Sequence, residues 1–308
     1  MAIQSNNWGR VAVLCGGDSC ERDISLLSGR EVYNALQNLQ IDAVFIDVQP
    51  NTLIQELDKV QPHYVLNMLH GPGGEGGQVQ AVLEYLQLPY WGSDVAASAL
   101  SLDKMRTKWI WDYHGLSTPK AYLIHSLNEA EQKAQKMTFP IAVKPVHDGS
   151  SIGISKITTM AELPKAFDKA YEIETDVMLE EWKEGYELTV GIVGETLLPS
   201  VHIAPQRPYY DYQAKYLEDT TQYYKGDYLI ADTVIHPLAR QAFDILGCHG
   251  WGRVDFLLDH DQQLWLIEMN TIPGMTQKSL LPKEAKYIEW SYEDLLLAIM
   301  QTKPQFKS

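Results

Sequence analysis

The sequence predicts a mixed protein, α/β at its start and α+β beyond, and three observations carry that prediction. Between Val11 and Leu69, apolar strand-like runs alternate with helical ones, the pattern of a parallel sheet with crossover helices. From Phe139 onward the strands come instead as adjacent pairs joined by polar turns, as antiparallel hairpins do. The length, 308 residues, holds two or three such units with a core for each.

Val11–Cys15 reads as a buried strand that ends in GGDSCERDIS and leads to a helix from about Leu26 to Leu39. Ile41–Val48 is a second strand, Thr52–Val60 a helix and Tyr64–Leu69 a third strand. Ligands of parallel sheets sit beyond the carboxyl ends of the strands, where the loops GGDSCERD and HGPGGEGGQ both fall. The first loop is not GxGxxG, and Asp18 stands where the second glycine would admit a pyrophosphate, which argues against a nicotinamide site. Glu21 and Arg22 either face a ligand or cap and solvate a helix start. His70, at a strand end, either bonds a ligand carboxylate or amine or is satisfied within its own turn.

Gly92 and Ser93 end a further short strand, and the helical segment DKMRTKWIWDYHG carries Lys104, Arg106 and Lys108. Such a charged face is usually solvated. Gly115 and Pro119 mark a domain boundary near residues 115 to 121. The stretch FPIAVKPVHDGSSIGISKI is two strands around HDGSS, with Lys144 alternating with Ala142. Asp148, Gly149, Ser150 and Ser151 either cluster backbone N–H groups suited to phosphate or make a plain Gly-Ser turn. The chain contains no Walker A string, GxxxxGK[ST].

A helix over Met160–Tyr171 and the strands VMLEEW and ELTVGIV follow. Alternation sends Glu180 and Trp182 to one side and Glu181 to the other, and Glu187 opens the next strand. This connection either holds an adenine edge or is a strand end with solvated acids. From Arg207 to Tyr228 the chain is long and polar, with seven tyrosines and Lys215, as a lid over a ligand would be. A helix from about Asp232 to Leu246 ends at Gly247.

The final hairpin, Gly250–Met275, concentrates chemistry. With a loop at His260–Gln263, Asp259 pairs with Leu264, Asp255 with Glu268 and Arg253 with Asn270. The opposite face joins Val254, Phe256 and Leu258 to Trp265, Ile267 and Met269. Opposed carboxylates repel, so the pair makes sense around a divalent cation, Mg²⁺ or Mn²⁺, whose hard-oxygen preference suits Asp, Glu and Asn. The other reading is an ordinary hairpin with a solvated charged face.

Asp plus Glu is 40 against 25 for Lys plus Arg, and the formal charge of -15 opposes binding to nucleic acid or an anionic membrane surface. The three cysteines, Cys15, Cys20 and Cys248, form no CxxC pattern and read as free thiols in a reducing compartment. With no span-length apolar run and no signal-peptide core, a cytoplasmic enzyme is expected.

Read together, GGDSCERDISLLSG, LHGPGGEGGQVQ, VKPVHDGSSIGISK, LEEWKEGYELTV, YDYQAKY, GWGRVDF and EMNTIPGMT followed by SLLP resemble, in this order, the D-alanine:D-alanine ligases of the ATP-grasp superfamily. The resemblance implies an ATP-grasp fold behind an N-terminal Rossmann-like, parallel-sheet domain, with domains at residues 1–100, 101–185 and 186–308. It puts ATP between the central and C-terminal domains, with Lys144 and Lys215 on its phosphates, Lys104 nearby and Ser151 in the phosphate loop. Glu180 and Trp182 would border adenine and Glu187 the ribose, while Asp255, Glu268 and Asn270 would hold two Mg²⁺ or Mn²⁺ ions.

The reaction implied begins with attack of one D-alanine carboxylate on the γ-phosphate. The amine of a second D-alanine then displaces phosphate from the D-alanyl phosphate. Arg253 and the Gly274 N–H match the donors to the oxyanion. Glu21, supported by His70 and linked to Ser150 and Tyr216, would hold the first ammonium group, and Ser279 with Leu280 the second carboxylate. The product would feed peptidoglycan precursor synthesis, and a homodimer fits the family. Two departures stand out: Glu181 where relatives carry a basic residue, and Asp148 where glutamate is commoner. Tyr216 resembles dipeptide-forming ligases; D-lactate or D-serine as acceptor, or a regulatory ATP-binding protein without chemistry, are the alternatives.

Overall fold

The structure, a computed structural model, describes residues 8–49, 51–147, 153–207 and 220–306. The first sheet is parallel, built from β1 (Val11–Gly16), β2 (Ala43–Val48) and β3 (Tyr64–Asn67) in the order β2-β1-β3. Every residue of β1 is buried, as a central strand covered on both faces requires. Helix α1 (Arg22–Asn38) starts about a turn before its apolar run, with Asp23 in its first turn where the helix dipole favours a carboxylate. Small residues let it approach the sheet: a Cβ on Gly29 would lie 2.5 Å from that of Cys15. Helix α2 (Leu53–Val60) completes this layer.

The glycine-rich stretch after His70, read as loop, instead winds into α3 (Pro72–Glu75), followed by α4 (Gln78–Tyr85) and α5 (Val95–Leu102). Proline at the first position of α3 and the positive φ of Gly71 before it start that turn. Asp94 caps α5 by accepting from Ala97 N at 2.9 Å.

Helix α6 (Lys104–Tyr113) leads to the second sheet, formed by β4 (Ala121–Ile124), β5 (Ile141–Pro145), β6 (Ser155–Ile157) and β7 (Val177–Glu181) in the order β4-β7-β5-β6. All its pairs are antiparallel. Helices α7 (Leu127–Ala134) and α8 (Leu163–Tyr171) cover it, and their apolar faces form a core drawn only from residues of this unit.

The third sheet contains β8 (Gly185–Val193), β9 (Thr196–Leu197), β10 (Val201–Ala204), β11 (Gln222–Lys225), β12 (Trp251–Asp259) and β13 (Leu264–Asn270). Its order is β11-β10-β8-β12-β13, with β9 on β8. Strand β11 and a turn at Gly226–Tyr228 occupy the end of the segment read as a continuous lid. Helix α9 (Asp232–Ile245) packs on one face, while α10 (Leu280–Lys286) lies on β8 and α11 (Tyr292–Gln301) reaches back to α1. One core therefore joins Val13, Val32 and Leu66 to Trp251, Leu281 and Leu296.

The hairpin of β12 and β13 holds the expected register at Arg253↔Asn270 and Asp255↔Glu268. Beyond Asp255 a bulge shifts it, so that Phe256 faces Leu266 and Leu258, rather than Asp259, faces Leu264. Leu264 and Leu266 consequently enter the core in place of Trp265 and Ile267. Trp265 turns outward and donates to Asp259 Oδ2 at 2.8 Å.

Candidate active site

A cleft of about 340 Å³ lies where the first and third sheets meet. From the first unit it receives Glu21 at the start of α1, His70 beyond β3 and Glu75 on α3, with Lys104 arriving from α6. From the third come Arg253, Glu268 and Asn270 of the hairpin, then Gly274, Ser279 and Leu280 leading into α10. Half of the site residues singled out in the sequence thus converge on one cavity, from segments more than two hundred residues apart.

Each side is braced locally. Ser25 Oγ donates to Met68 O at 2.7 Å and accepts from Gly16 N at 2.8 Å, tying α1 to the ends of β1 and β3. Ser19 Oγ donates to His70 O at 2.9 Å. Glu21, 6% exposed, is therefore not the solvated helix cap of the alternative reading. His70 is buried, and burial first, with Arg253 nearby, lowers its pKa despite the opposing pull of Glu21, which keeps the imidazole neutral. Its Nε2 makes no hydrogen bond among the described residues.

On the hairpin, Thr189, Asp255 and Glu268 stand in one row across β8, β12 and β13. Asp255 accepts from Thr189 Oγ1 at 2.7 Å, from Arg253 Nε and Nη2 at 2.8 and 2.7 Å, and from Asn270 Nδ2 at 3.1 Å. This is no solvated face. Burial works against the charge of Arg253, but Asp255, Glu268 and Glu284 outweigh it and hold its pKa above the ordinary arginine value. Gly274 lies so near Ser279 that a Cβ there would meet Oγ at 2.9 Å. Ser279 is the N-cap residue of α10, and its Oγ accepts from Thr276 N at 3.1 Å.

Lys144 and Glu180 lie outside the cleft lining. Glu180 is buried between Lys144 Nζ at 2.6 Å and Lys108 Nζ at 2.5 Å, which corrects both the solvated-acid reading of VMLEEW and the solvated face of α6. Burial raises the cost of the Glu180 charge, and the two lysines more than offset it, holding its pKa below the usual carboxylate value. Lys108 Nζ also donates to Thr118 Oγ1 at 2.6 Å, which donates onward to Leu266 O of β13 at 2.8 Å. Trp182 is half-buried, with Lys156 Nζ 4.8 Å from its ring. Glu187 is half-buried on β8, opposite Leu257 and Ile203. Ser150, Ser151, Lys215 and Tyr216 lie outside the described residues.

The sequence reading missed four residues. Glu75 lines the cleft, and burial, with Glu21 and Glu268 nearby, pushes its carboxyl up to about 8. Thr189 was legible by extending the alternation from Glu187 across ELTVGIV. Lys108 belongs to a helix face whose charges point to solvent by pattern alone. Glu284, buried on α10, has its pKa raised well above normal by burial, with Arg253 opposing and Asp255 adding to the shift. A Cβ on Gly191 would stand 2.1 Å from its Oε2, so only glycine leaves room for it. No periodicity in SLLPKEAK marks that glutamate as interior.

The family model for the D-ala D-ala ligase C-terminus matches residues 110–301. The chain is 44% identical to a D-alanine–D-alanine ligase of Marinobacter nauticus over 95% of this chain and 90% of that one. It is 42% identical to one from Hydrogenovibrio crunogenus, covering 95% and 94%. Among solved structures, the D-alanine–D-alanine ligase of Bacillus anthracis is similar at a TM-score of 0.83 and 32% identity, covering 95% of this chain and 96% of that one. The VanG D-Ala:D-Ser ligase of Enterococcus faecalis is similar at 0.81 and 26%, covering 94% and 98%. The shared sequence, the three-sheet architecture and the convergent cleft lead to one conclusion: this chain belongs to the D-alanine–D-alanine ligase family.

Proposed function

We propose that the protein joins two D-alanine molecules into D-alanyl-D-alanine at the expense of ATP, for peptidoglycan precursor synthesis. The observation that carries this reading is the meeting of Arg253, Glu268, Asn270 and Gly274 on one side of a cleft, with Asp255 bonded behind Arg253 and Asn270, while the other side offers Glu21 and His70. Glu21 binds the ammonium of the first D-alanine, and neutral His70 supplies a ring nitrogen beside it. The carboxylate of that D-alanine attacks the γ-phosphate, giving D-alanyl phosphate and ADP. The amine of the second D-alanine adds to its carbonyl, and phosphate leaves. Arg253 and the Gly274 N–H face the oxyanion that develops, and donors of this kind are worth about 3 kcal/mol each. Ser279 and Leu280, at the start of α10, receive the carboxylate of the second D-alanine.

On the nucleotide side, Lys144 and Lys215 contact phosphate with Lys104 and Ser151 beside it, Glu180 and Trp182 border adenine, and Glu187 meets the ribose. Glu180 must exchange part of its lysine pairing to do so. Ser150 and Tyr216 link to Glu21 by hydrogen bonds. The donors fit two Mg²⁺ or Mn²⁺ ions: Asp255, Glu268 and Asn270 offer hard oxygens beside a cleft where burial, with Glu21 and Glu268 close by, holds the Glu75 carboxyl up to about 8. Such ions offset the charge of the phosphates during transfer.

We further propose domains at 1–100, 101–185 and 186–308, a homodimer, and a cytoplasmic site of action without nucleic-acid or membrane partners. Among the described residues no helix is long and apolar enough to cross a membrane.

The test is ADP release from MgATP with D-alanine, beside L-alanine, D-serine and D-lactate, with products identified by mass. ADP together with D-alanyl-D-alanine is expected. A preferred mixed product with D-serine or D-lactate would change the acceptor, and no ADP with any mixture would overturn the reaction.

A further inference from the structure

Just outside the cleft, His147 joins three separate segments. It follows β5, and its ring lies between two carboxylates. Nε2 stands 3.0 Å from Asp103 Oδ2 and Nδ1 bonds Glu174, whose other oxygen accepts from the His147 backbone N–H at 2.8 Å. Asp103 is the N-cap of α6, accepting from Arg106 N at 2.8 Å, and the next residue is Lys104. Val146, immediately before His147, accepts from Lys104 Nζ at 3.2 Å and from Lys104 N at 3.4 Å. Glu174 belongs to the turn between α8 and β7, and Val146 N donates to Asp176 O of that turn at 3.0 Å.

We infer that His147 is a positioning residue for ATP: its imidazolium bolts the end of β5 to the start of α6 and so fixes Lys104 where it enters the cleft. The inference rests on the placement of phosphate against Lys104 proposed above.

The charged groups facing the ring are Asp103 and Arg106 from α6 and Glu174 and Asp176 from the turn before β7; Asp176 in turn pairs with His125 at 3.3 Å. His147, Glu174 and Asp176 have ligand atoms within 4.8 Å of one another, close enough for a metal ion. A ligating histidine must first lose its proton, however, and here two hydrogen-bonded carboxylates hold that proton. The bonds to Asp103 and Glu174 raise the His147 pKa to about 9 against the opposing effect of burial. The ring is thus a doubly bonded cation at neutral pH, a stronger tie than a neutral side chain makes.

Two variants test this. His147→Asn should raise KM for ATP about tenfold, the order expected for losing a charge-assisted hydrogen bond, with kcat within about threefold and KM for D-alanine unchanged. Glu174→Gln removes one of the two carboxylates that hold the proton. In the parent, KM for ATP should climb as pH passes about 9, and in Glu174→Gln the climb should begin at lower pH. Deprotonation of Lys104 itself would act on parent and variant alike, so the difference between them isolates His147. If both variants lower thermal stability but leave KM for ATP and its pH profile at parental values, His147 is a structural tie only and the inference falls. Should His147→Asn fail to fold, the Glu174→Gln profile decides alone: a shifted climb supports the inference and an unshifted one overturns it. Failure of the ATP reading itself would look different, as a parent enzyme without ATP-dependent turnover.

Discussion

Arg253 has two tasks that pull against each other. In the reaction proposed above it faces the developing oxyanion, and it also holds Asp255 in a two-pronged bond at 2.8 and 2.7 Å. Lysine would keep the charge but not the fork. Arg253→Lys should therefore lower kcat about a hundredfold, within the range for losing one oxyanion donor, while thermal unfolding moves by only a few degrees; ADP release and a melting curve measure both. Glu75 gives the second residue-level expectation. Its folded pKa of about 8, raised chiefly by burial, lies above the ordinary glutamate value of 4.5, so the folded protein keeps a proton that the unfolded chain releases. Stability from this group is complete below pH 4.5, declines as pH rises, and levels off above about 8. Urea midpoints taken across that window in metal-free buffer should fall for the parent and stay flatter for Glu75→Gln. Parallel curves would show that Glu75 does not set the slope. Arg253 and Asp255 were legible because strand alternation put them on one face, and Glu21 because its loop falls beyond a strand end within a family motif; Glu75 sat among glycines that read as loop, and nothing local revealed that they wind into a helix.

At the scale of elements, α6 shows where sequence pattern misleads. Lys104 and Lys108 are spaced i, i+4, which places them on one helix face, and a lysine-bearing face ordinarily points to water. Here that face is the buried one, with Lys104 and Lys108 at 8% and 3% exposure: Glu180 arrives from β7 to meet Lys108, and Val146 O accepts from Lys104 Nζ. A partner so distant in sequence is invisible to a local reading. The consequence is energetic. Lys108→Met leaves Glu180 with Lys144 alone, and breaking one side of a buried pair costs about 3 kcal/mol. Urea denaturation should record that loss, and a change under about 0.5 kcal/mol, the ordinary surface value, would mean that Lys144 suffices. The β12–β13 hairpin failed in the opposite way. Its first half, Arg253 to Asp255, was readable from simple alternation, whereas the bulge beyond Asp255 is a tertiary choice that buries Leu264 and Leu266 and frees Trp265 to reach Asp259.

At the scale of the molecule, the division of the core bears on how the site is kept together. The second sheet closes its own core from residues of one segment, with Leu163 and Phe167 against Ile141 and Leu179. The first and third sheets share theirs, since Leu296 of α11 and Trp251 of β12 pack in the same cluster as Val13 and Val32. The cleft is lined chiefly by α1 and the residues after β3 on one side and by β13 and the residues leading to α10 on the other, elements that pack on these two sheets, so both of its walls stand on common packing. Leu296 is fully buried in that shared cluster, and Leu296→Ala should cost about 3 kcal/mol through lost burial and the cavity left behind. Amide exchange by mass spectrometry reads where that cost falls. Protection should drop together in β1 and β12, although they belong to different sheets, because they open as one cooperative unit. β5 and β7 should keep their parental rates, because their core contains none of the affected side chains. A loss confined to α11 and β12 would instead show that the shared cluster does not couple the two walls, and that the cleft owes its alignment to hydrogen bonds such as Met275 N to Ser28 Oγ at 3.3 Å.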